Sequence, residues 1–365
     1  MAEALAGDSP PRNAALPPSR LAREGRLEVL DGLRGVAALS VLIIHLGISS
    51  GMPGLTPLAF LSVDLFFMLS GFVIGSAYEP KLRSGMTLRR FVAIRAARFL
   101  PGLAIGVVLA AATHLWLGRP PADLILQVPL HLLLIPDVTS PVLFPLNGVL
   151  WTLFFEIVLN VAHAAFVRKL TTLRLMILTG ACGALWAWTA GQTGNWGGGW
   201  NWASVMSGTC RVGWAYGIGL LLYRLTKSGR IRVPVLPGFA PISAAVIVLL
   251  APALFAGTAR IIISLFVLLP VILVLAAHAR LSSGGRRAAA WFGGLSYPLY
   301  TMHPPLLLIA AALLGTAPAS RPLWALAAVA IVLIAAAAFH FCETPARMWL
   351  KGRVGRSRGS AGQVP

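Results

Sequence analysis

Residues Leu30 to His45 read L-D-G-L-R-G-V-A-A-L-S-V-L-I-I-H, an apolar run with Arg34 near its start and His45 deep inside it. On a helix the eleven steps between the two cover roughly 16 Å and complete about three turns, so both side chains fall on one face. That face carries a cation at the edge of an apolar span and an imidazole near its middle. An imidazole in such a place suits proton transfer better than packing, because its proton affinity lies close to neutrality. The whole chain has the same apolar character. Its 365 residues are 57% hydrophobic and 11% charged, with mean hydropathy +0.80, a composition outside that of soluble domains.

The expected fold is therefore all-α, a polytopic bundle of about ten transmembrane helices with both termini cytoplasmic. Apolar runs long enough to cross a bilayer fall at 33–51, 57–78, 99–117, 149–167, 174–190, 204–223, 238–257, 260–278, 291–314 and 322–342. Among the 30 Lys and Arg, only Arg119, Arg260 and Arg321 then lie on the outer side, and Arg211 lies within a span. The net charge of +19 is thus first explained by the rule that cytoplasmic loops are basic, and nucleic acid is not an expected partner. The membrane body spans 30–350. It lies between a disordered cytoplasmic tail, 1–29, and a disordered basic tail, 351–365. No cleavable signal is read in the first 29 residues, which are rich in Pro, Ala and Arg. The proline-interrupted segment 120–148 is too short for a comfortable span and reads as interfacial or re-entrant. The tryptophans of the Gly191–Trp202 stretch suit either headgroup anchoring or stacking on a sugar. Cys182, Cys210 and Cys342 lack metal-ligand spacing and read as packing residues, so no metal is expected.

Ionisable groups inside lipid are costly unless paired or hydrated, which makes each one a candidate. Asp64, in S-V-D-L-F-F-M-L-S-G-F-V-I, and Glu156, in L-W-T-L-F-F-E-I, lie inside spans, both in the outer half by the expected topology. Glu343 ends the last span. Asp64 and Glu156 act in chemistry or neutralise an arginine such as Arg211. His303, in S-Y-P-L-Y-T-M-H-P-P-L, is also near mid-depth, with a helix break expected at Pro304 and Pro305. His114, His131, His163, His278 and His340 fall near span ends, where water is available, and receive no role. In the basic loop K-L-R-S-G-M-T-L-R-R-F-V-A-I-R-A-A-R-F-L-P, Arg95 and Arg98 share a helical face. The loop reads either as a phosphate clamp or as a contact to anionic lipid.

Seven blocks in order resemble the acyltransferase 3 family of integral membrane acyltransferases and cover roughly 28–350. They are D-G-L-R-G with Arg34 and His45, V-D-L-F-F-M-L-S-G-F-V-I, R-A-A-R followed by Pro101, L-W-T-L-F-F-E-I, C-R-V-G-W-A-Y-G-I-G-L-L-L-Y-R-L, L-S-Y-P-L-Y-T-M-H-P-P-L and C-E-T-P-A-R. The resemblance implies a multi-pass protein of the cytoplasmic (inner) membrane. It would transfer an acyl group, acetyl above all, from acetyl-CoA or another acyl-CoA to a hydroxyl of an extracytoplasmic acceptor, often a carbohydrate. It makes His45 the catalytic histidine with Arg34 its partner, and Arg95 and Arg98 the contacts for the donor's phosphates. Glu156 is expected to hydrogen-bond the acceptor or orient the imidazole. Asp64, Ser70, Gly71, Phe72, Trp151, Arg211, Ser296, Tyr297 and His303 would line the substrate path. Thr152 stands where the family usually has serine, and Glu156 lacks a second acidic neighbour. A proton-coupled transporter of a small solute is the alternative, with Asp64, Glu156 and His45 as its relay. Such transporters often carry internal repeats, and none is seen.

Overall fold

The computed structural model describes residues 18–54, 56–250, 257–317 and 320–356, with side chains from Glu28 to Arg353. Among the described residues there are helices and two isolated bridges but no strand. The helices are α1 Pro18–Ser49, α2 Ser62–Arg83, α3 Leu88–Trp116, α4 Pro121–Leu132, α5 Leu150–Phe166, α6 Thr172–Thr193 and α7 Val205–Lys227. They continue with α8 Phe239–Leu250, α9 Gly257–Ile263, α10 Leu269–His278, α11 Ser283–Leu314, α12 Arg321–Ala338 and α13 Thr344–Arg356. Single π-turns, Ser264–Leu268 and Phe339–Glu343, join α9 to α10 and α12 to α13.

Each predicted span contains helix among its described residues. Among the described residues seven stretches are long and apolar enough to cross a membrane: Glu28–Ser49, Ala59–Arg83, Leu88–Trp116, Thr172–Thr193, Gly257–His278, Ser283–Leu314 and Arg321–Arg353. The other three expected spans fall short. The α5 and α8 helices have 17 and 12 described residues, and α7, although 23 residues long, carries Arg211 and several glycines in its apolar run. Exposed aliphatic side chains such as Val108, Ile177, Val267 and Leu333 give the bundle the apolar outer surface that lipid requires. The chain is an integral, multi-pass membrane protein.

Three boundaries differ from the sequence reading. The helix α1 begins at Pro18, so residues 18–29 extend the first helix instead of belonging to a disordered tail; Leu, Ala, Arg and Glu there are good helix formers. Residues 1–17 and 357–365 of the two expected tails lie outside the described residues. The basic loop shrinks to Ser84–Thr87, because Thr87 caps α3 by accepting a hydrogen bond from the Arg90 N–H, which puts Arg95 and Arg98 on a helix inside the bundle. No break occurs at Pro304 and Pro305, and α11 runs through both. Pro305 has no N–H to offer the Thr301 carbonyl, but Asn147 Nδ2 donates to that oxygen at 2.8 Å, which replaces the lost helical bond.

The α2–α7 seam sets the position of everything else. Asp64, Met68, Gly71, Gly75 and Glu79 lie at helical spacing on one stripe of α2. A Cβ on Gly71 would collide with the Tyr216 carbonyl, and one on Gly219 with the Met68 carbonyl, so the two backbones touch. Ion pairs close the seam at both ends. Arg211 Nε and Nη2 donate to Asp64 Oδ1 and Oδ2 at 2.8 and 2.7 Å, and Arg211 also donates to the carbonyls of Phe60 and Gly198. At the other end Arg224 and Arg83 both donate to Glu79. The α1 helix packs along α11, and α3 crosses α11 where Gly106 meets the Thr301 carbonyl.

Beyond the ends of α4 and α6, the segments 133–149 and 191–204 are tied together. Leu143 N–H donates to the Trp200 carbonyl, and Trp202 Nε1 donates to the Asp137 carbonyl. Of the tryptophans expected at the headgroups, Trp200 and Trp202 are exposed, whereas Trp196 is buried against Trp186. His131 and His163 are also buried, not water-exposed as expected. His131 donates to the Gln127 carbonyl and accepts from the Leu146 N–H, a structural use of both nitrogens.

Asp64 and Arg211 are 0% and 1% exposed, so Arg211→Leu strands a carboxylate and costs about 3–5 kcal/mol. The double variant Asp64→Leu with Arg211→Leu is expected to melt at a higher temperature in detergent than either single variant.

Candidate active site

The π-turn at Phe339–Glu343 directs Phe339 and Glu343 into the bundle, where α1, α2, α3, α5, α11 and α13 enclose a cavity of about 320 Å³. Its size lies within the roughly 300–1,000 Å³ of small-molecule sites. The depth axis can be read from α1 against α11. Asp31 abuts Gly293 at one level, and His45 meets His303 at another, ten residues or about 15 Å further along α11. At the Asp31 level the cavity is lined by Arg34, Arg98, Arg347 and Lys351 together with Asp31 and Glu343. Arg34 lies 3.6 Å from Asp31, and Arg347 lies 3.8 Å from Glu343. Further in, the walls turn aromatic, with Phe66, Phe67, Phe99, Tyr297 and Tyr300.

Glu156 faces the middle of this cavity. It accepts from Arg95 Nη2 at 3.0 Å and from Ser70 Oγ at 2.8 Å. Arg95 is buried, and its guanidinium stacks over Phe99 at 4.5 Å. Deeper still, Thr152 Oγ1 donates to the Val149 carbonyl at 2.9 Å, which leaves it to accept from the Tyr300 hydroxyl at 2.8 Å. The threonine at this position thus keeps the hydroxyl that a serine would supply. Tyr300 packs on His303 with ring centroids 5.9 Å apart, and His303 packs on His45 at 5.0 Å. His45 therefore lies two rings beyond the inner end of the cavity.

The expected site residues separate into three groups. Arg34, Arg98, Glu156, Ser296 and Tyr297 line the cavity, Ser70 touches it through Glu156, and His45 and His303 stand together beyond its inner end. Arg95 reaches the same cluster but is engaged with Glu156, so only Arg98 of the expected pair opens toward the cationic end. Asp64, Gly71 and Arg211 belong to the α2–α7 seam instead of the path, and Phe72 packs edge-on against Tyr223 of α7. The helical wheel explains the difference: Val63, Phe66, Phe67 and Ser70 form the cavity-facing side of α2, and the Asp64–Gly71 stripe lies about a third of a turn further round the helix. Trp151 is buried against Phe155 and the Gly199 backbone. Among the described residues no group of His, Cys, Asp and Glu is arranged to hold a metal ion.

Sequence reasoning had not singled out Asp31, Tyr300, Arg347 or Lys351. Tyr300 carried a signal, since it stands one helical turn from Tyr297 in the same block. Arg347 carried another, four residues after Glu343 at the spacing of a helical ion pair.

Removing the buried Arg95 charge leaves Glu156 unpaired, so Arg95→Gln is expected to lower stability by about 3 kcal/mol. Arg98→Gln at the open end should change it by less than about 0.5 kcal/mol. Thermal unfolding of the two variants in detergent checks the contrast.

A family model described as an acyltransferase domain matches residues 27–341. "Protein 2 in picA locus" of Rhizobium radiobacter is 34% identical over 182 residues, which cover 44% of this chain and 92% of that protein. "Putative membrane-bound transacylase BcsY" of Komagataeibacter xylinus is 33% identical over 93 residues, 26% of this chain and 22% of that protein. No solved structure matches the chain with significance. With a family match that spans nearly the entire helical body and includes His45 and most of the cavity lining, the chain belongs to the acyltransferase 3 family of membrane acyltransferases.

Proposed function

We propose that this protein transfers an acyl group, acetyl above all, from acyl-coenzyme A to a hydroxyl of an acceptor, with a carbohydrate as the favoured class. The observation that supports it best is a cavity whose outer end gathers Arg34, Arg98, Arg347 and Lys351 and whose aromatic inner end leads to His45. The cations outnumber Asp31 and Glu343 there, since Arg95 already neutralises Glu156. Such a cluster suits the phosphates of coenzyme A, and the aromatic walls suit its uncharged arm. Basic segments favour placing the cationic end at the cytoplasmic face of the inner membrane, with the acceptor arriving from the other side.

In the reaction, His45 acts as general base. The acceptor hydroxyl gives its proton to the imidazole as its oxygen bonds to the acyl carbonyl carbon. The carbon–sulfur bond then breaks, and the departing thiolate takes that proton to become the coenzyme A thiol. The apolar walls keep water from the thioester. Glu156 holds Arg95 and Ser70 beside the path, a role for which a single acidic residue is sufficient. The transporter reading requires Asp64 to exchange protons, and its two short bonds to Arg211 weigh against that.

His45→Ala is expected to abolish acyl transfer, by a factor of about 10² or more, while the protein still folds. Retained release of thiol from acetyl-coenzyme A would contradict the reading. Neutralising Arg98 and Arg347 by glutamine should each weaken coenzyme A binding by about 1.5–3 kcal/mol, roughly ten- to hundredfold, read by titration of the purified protein. The acceptor class is tested by comparing cell-surface glycan acylation in deletion and complemented strains, where no difference would count against a carbohydrate.

A further inference from the structure

The His45 and His303 rings meet at a tilt of 49°, and the carbonyls around them fix where the hydrogens lie. His45 Nδ1 is 2.9 Å from the Val41 carbonyl, and His303 Nδ1 is 3.0 Å from the Leu299 carbonyl. A carbonyl oxygen can only accept, so each Nδ1 carries a hydrogen. In the neutral rings each Nε2 is then a bare lone pair. His303 Nε2 lies 3.3 Å from His45 Nδ1, which places an acceptor against a hydrogen already shared with Val41. The two contacts agree on one arrangement: His45 donates through Nδ1 to Val41 and to His303, and its Nε2 is left free.

Building on the acyl-transfer reading, we infer that His303 is a positioning residue that joins the Val41 carbonyl in holding His45 in the Nδ1–H tautomer, so that Nε2 is the basic atom. Once Nε2 takes the acceptor's proton, the imidazolium donates through Nδ1 to His303 Nε2, and this bond strengthens as the charge appears. His303 does not pass the proton on. Its own Nδ1 hydrogen faces the Leu299 carbonyl, which is no base, and the ring is 0% exposed, so a second proton there would create a buried cation. The proton stays on His45 Nε2 until the thiolate collects it. Three constraints hold His303 in register: its bond to Leu299, the Tyr300 ring packed on it, and the Asn147 bond that preserves α11 through the following prolines. His303 is thus removed from the set of residues that contact the substrate.

The test uses the full-length protein in lipid nanodiscs with ¹⁵N-labelled histidine. Solid-state NMR should show the His45 signals, identified by their absence in His45→Ala, as protonated Nδ1 and unprotonated Nε2. An Nε2–H tautomer in the unsubstituted protein would overturn the inference without any appeal to variants. His303→Leu removes one of the two acceptors that face the His45 Nδ1 hydrogen, leaving the Val41 carbonyl, and should raise the Nε2–H fraction of His45 above that of the unsubstituted protein. It should also slow thiol release from acetyl-coenzyme A at least about tenfold, with KM for acetyl-coenzyme A unchanged. In His303→Gln the side-chain oxygen can occupy the position of Nε2, so most of the rate and the single tautomer should return. Wild-type rate and tautomer in His303→Leu, or a His303→Gln as impaired as His303→Leu, would refute the positioning role alone. Activity surviving in His45→Ala would refute the acyl-transfer reading itself, so the two failures are distinguishable.

Discussion

A charge inside a bundle of apolar helices must be paired or reach water, and this requirement separates scaffold from site in the present structure. Asp64 with Arg211 and Glu79 with Arg83 and Arg224 are paired across or along the α2–α7 seam, where Gly71 and Gly219 bring the two backbones into contact. Asp64 and Arg211 neutralise each other, Glu79 is shared by two arginines, and both sets hold two helices at fixed separation. At the Arg34 end of the cavity the cations are instead in excess and lie 3.6 to 3.8 Å from their acidic neighbours, looser than the 2.7 Å of the seam. Tight pairs build the frame, and the loose, cation-rich set is left to meet an anion.

The seam also governs the chemistry indirectly. Because Asp64 and Gly71 commit one side of α2 to α7, the remaining side presents Phe66, Phe67 and Ser70 to the cavity, and Ser70 in turn fixes Glu156. A similar economy appears on α11. Prolines free carbonyl groups, Asn147 satisfies one of them, and the uninterrupted helix carries Tyr297, Tyr300 and His303 on to the level of His45. The reactive imidazole is therefore positioned by helices whose own packing is closed elsewhere.

Much of this was legible in the sequence. Hydropathy located the seven long apolar helical stretches among the described residues, and the eleven-residue spacing put Arg34 and His45 on one face. The structure places Arg34 in the cavity lining and His45 just beyond the cavity's inner end. What was not legible depended on partners far apart in the chain. Sequence proximity made Arg95 and Arg98 look like one clamp, but Arg95 is drawn 61 positions away to Glu156. Gly71, expected to line the substrate path, is instead a helix contact, since a missing side chain serves either purpose. Likewise Pro304 and Pro305 signal a break only if no outside donor replaces the lost N–H, and Asn147 lies 154 positions away.

The central claim is that one continuous path leads from the cationic end to His45, and a cryo-electron microscopy map of the protein in nanodiscs with coenzyme A tests it most directly. The account predicts phosphate density against Arg98 and Arg347, the arm of the ligand between Phe66 and Tyr300, and the thiol within hydrogen-bonding reach of His45. Density elsewhere, for example in the separate pocket lined by Arg83, Thr172, Arg224 and Lys227, with the central cavity left empty, would contradict it.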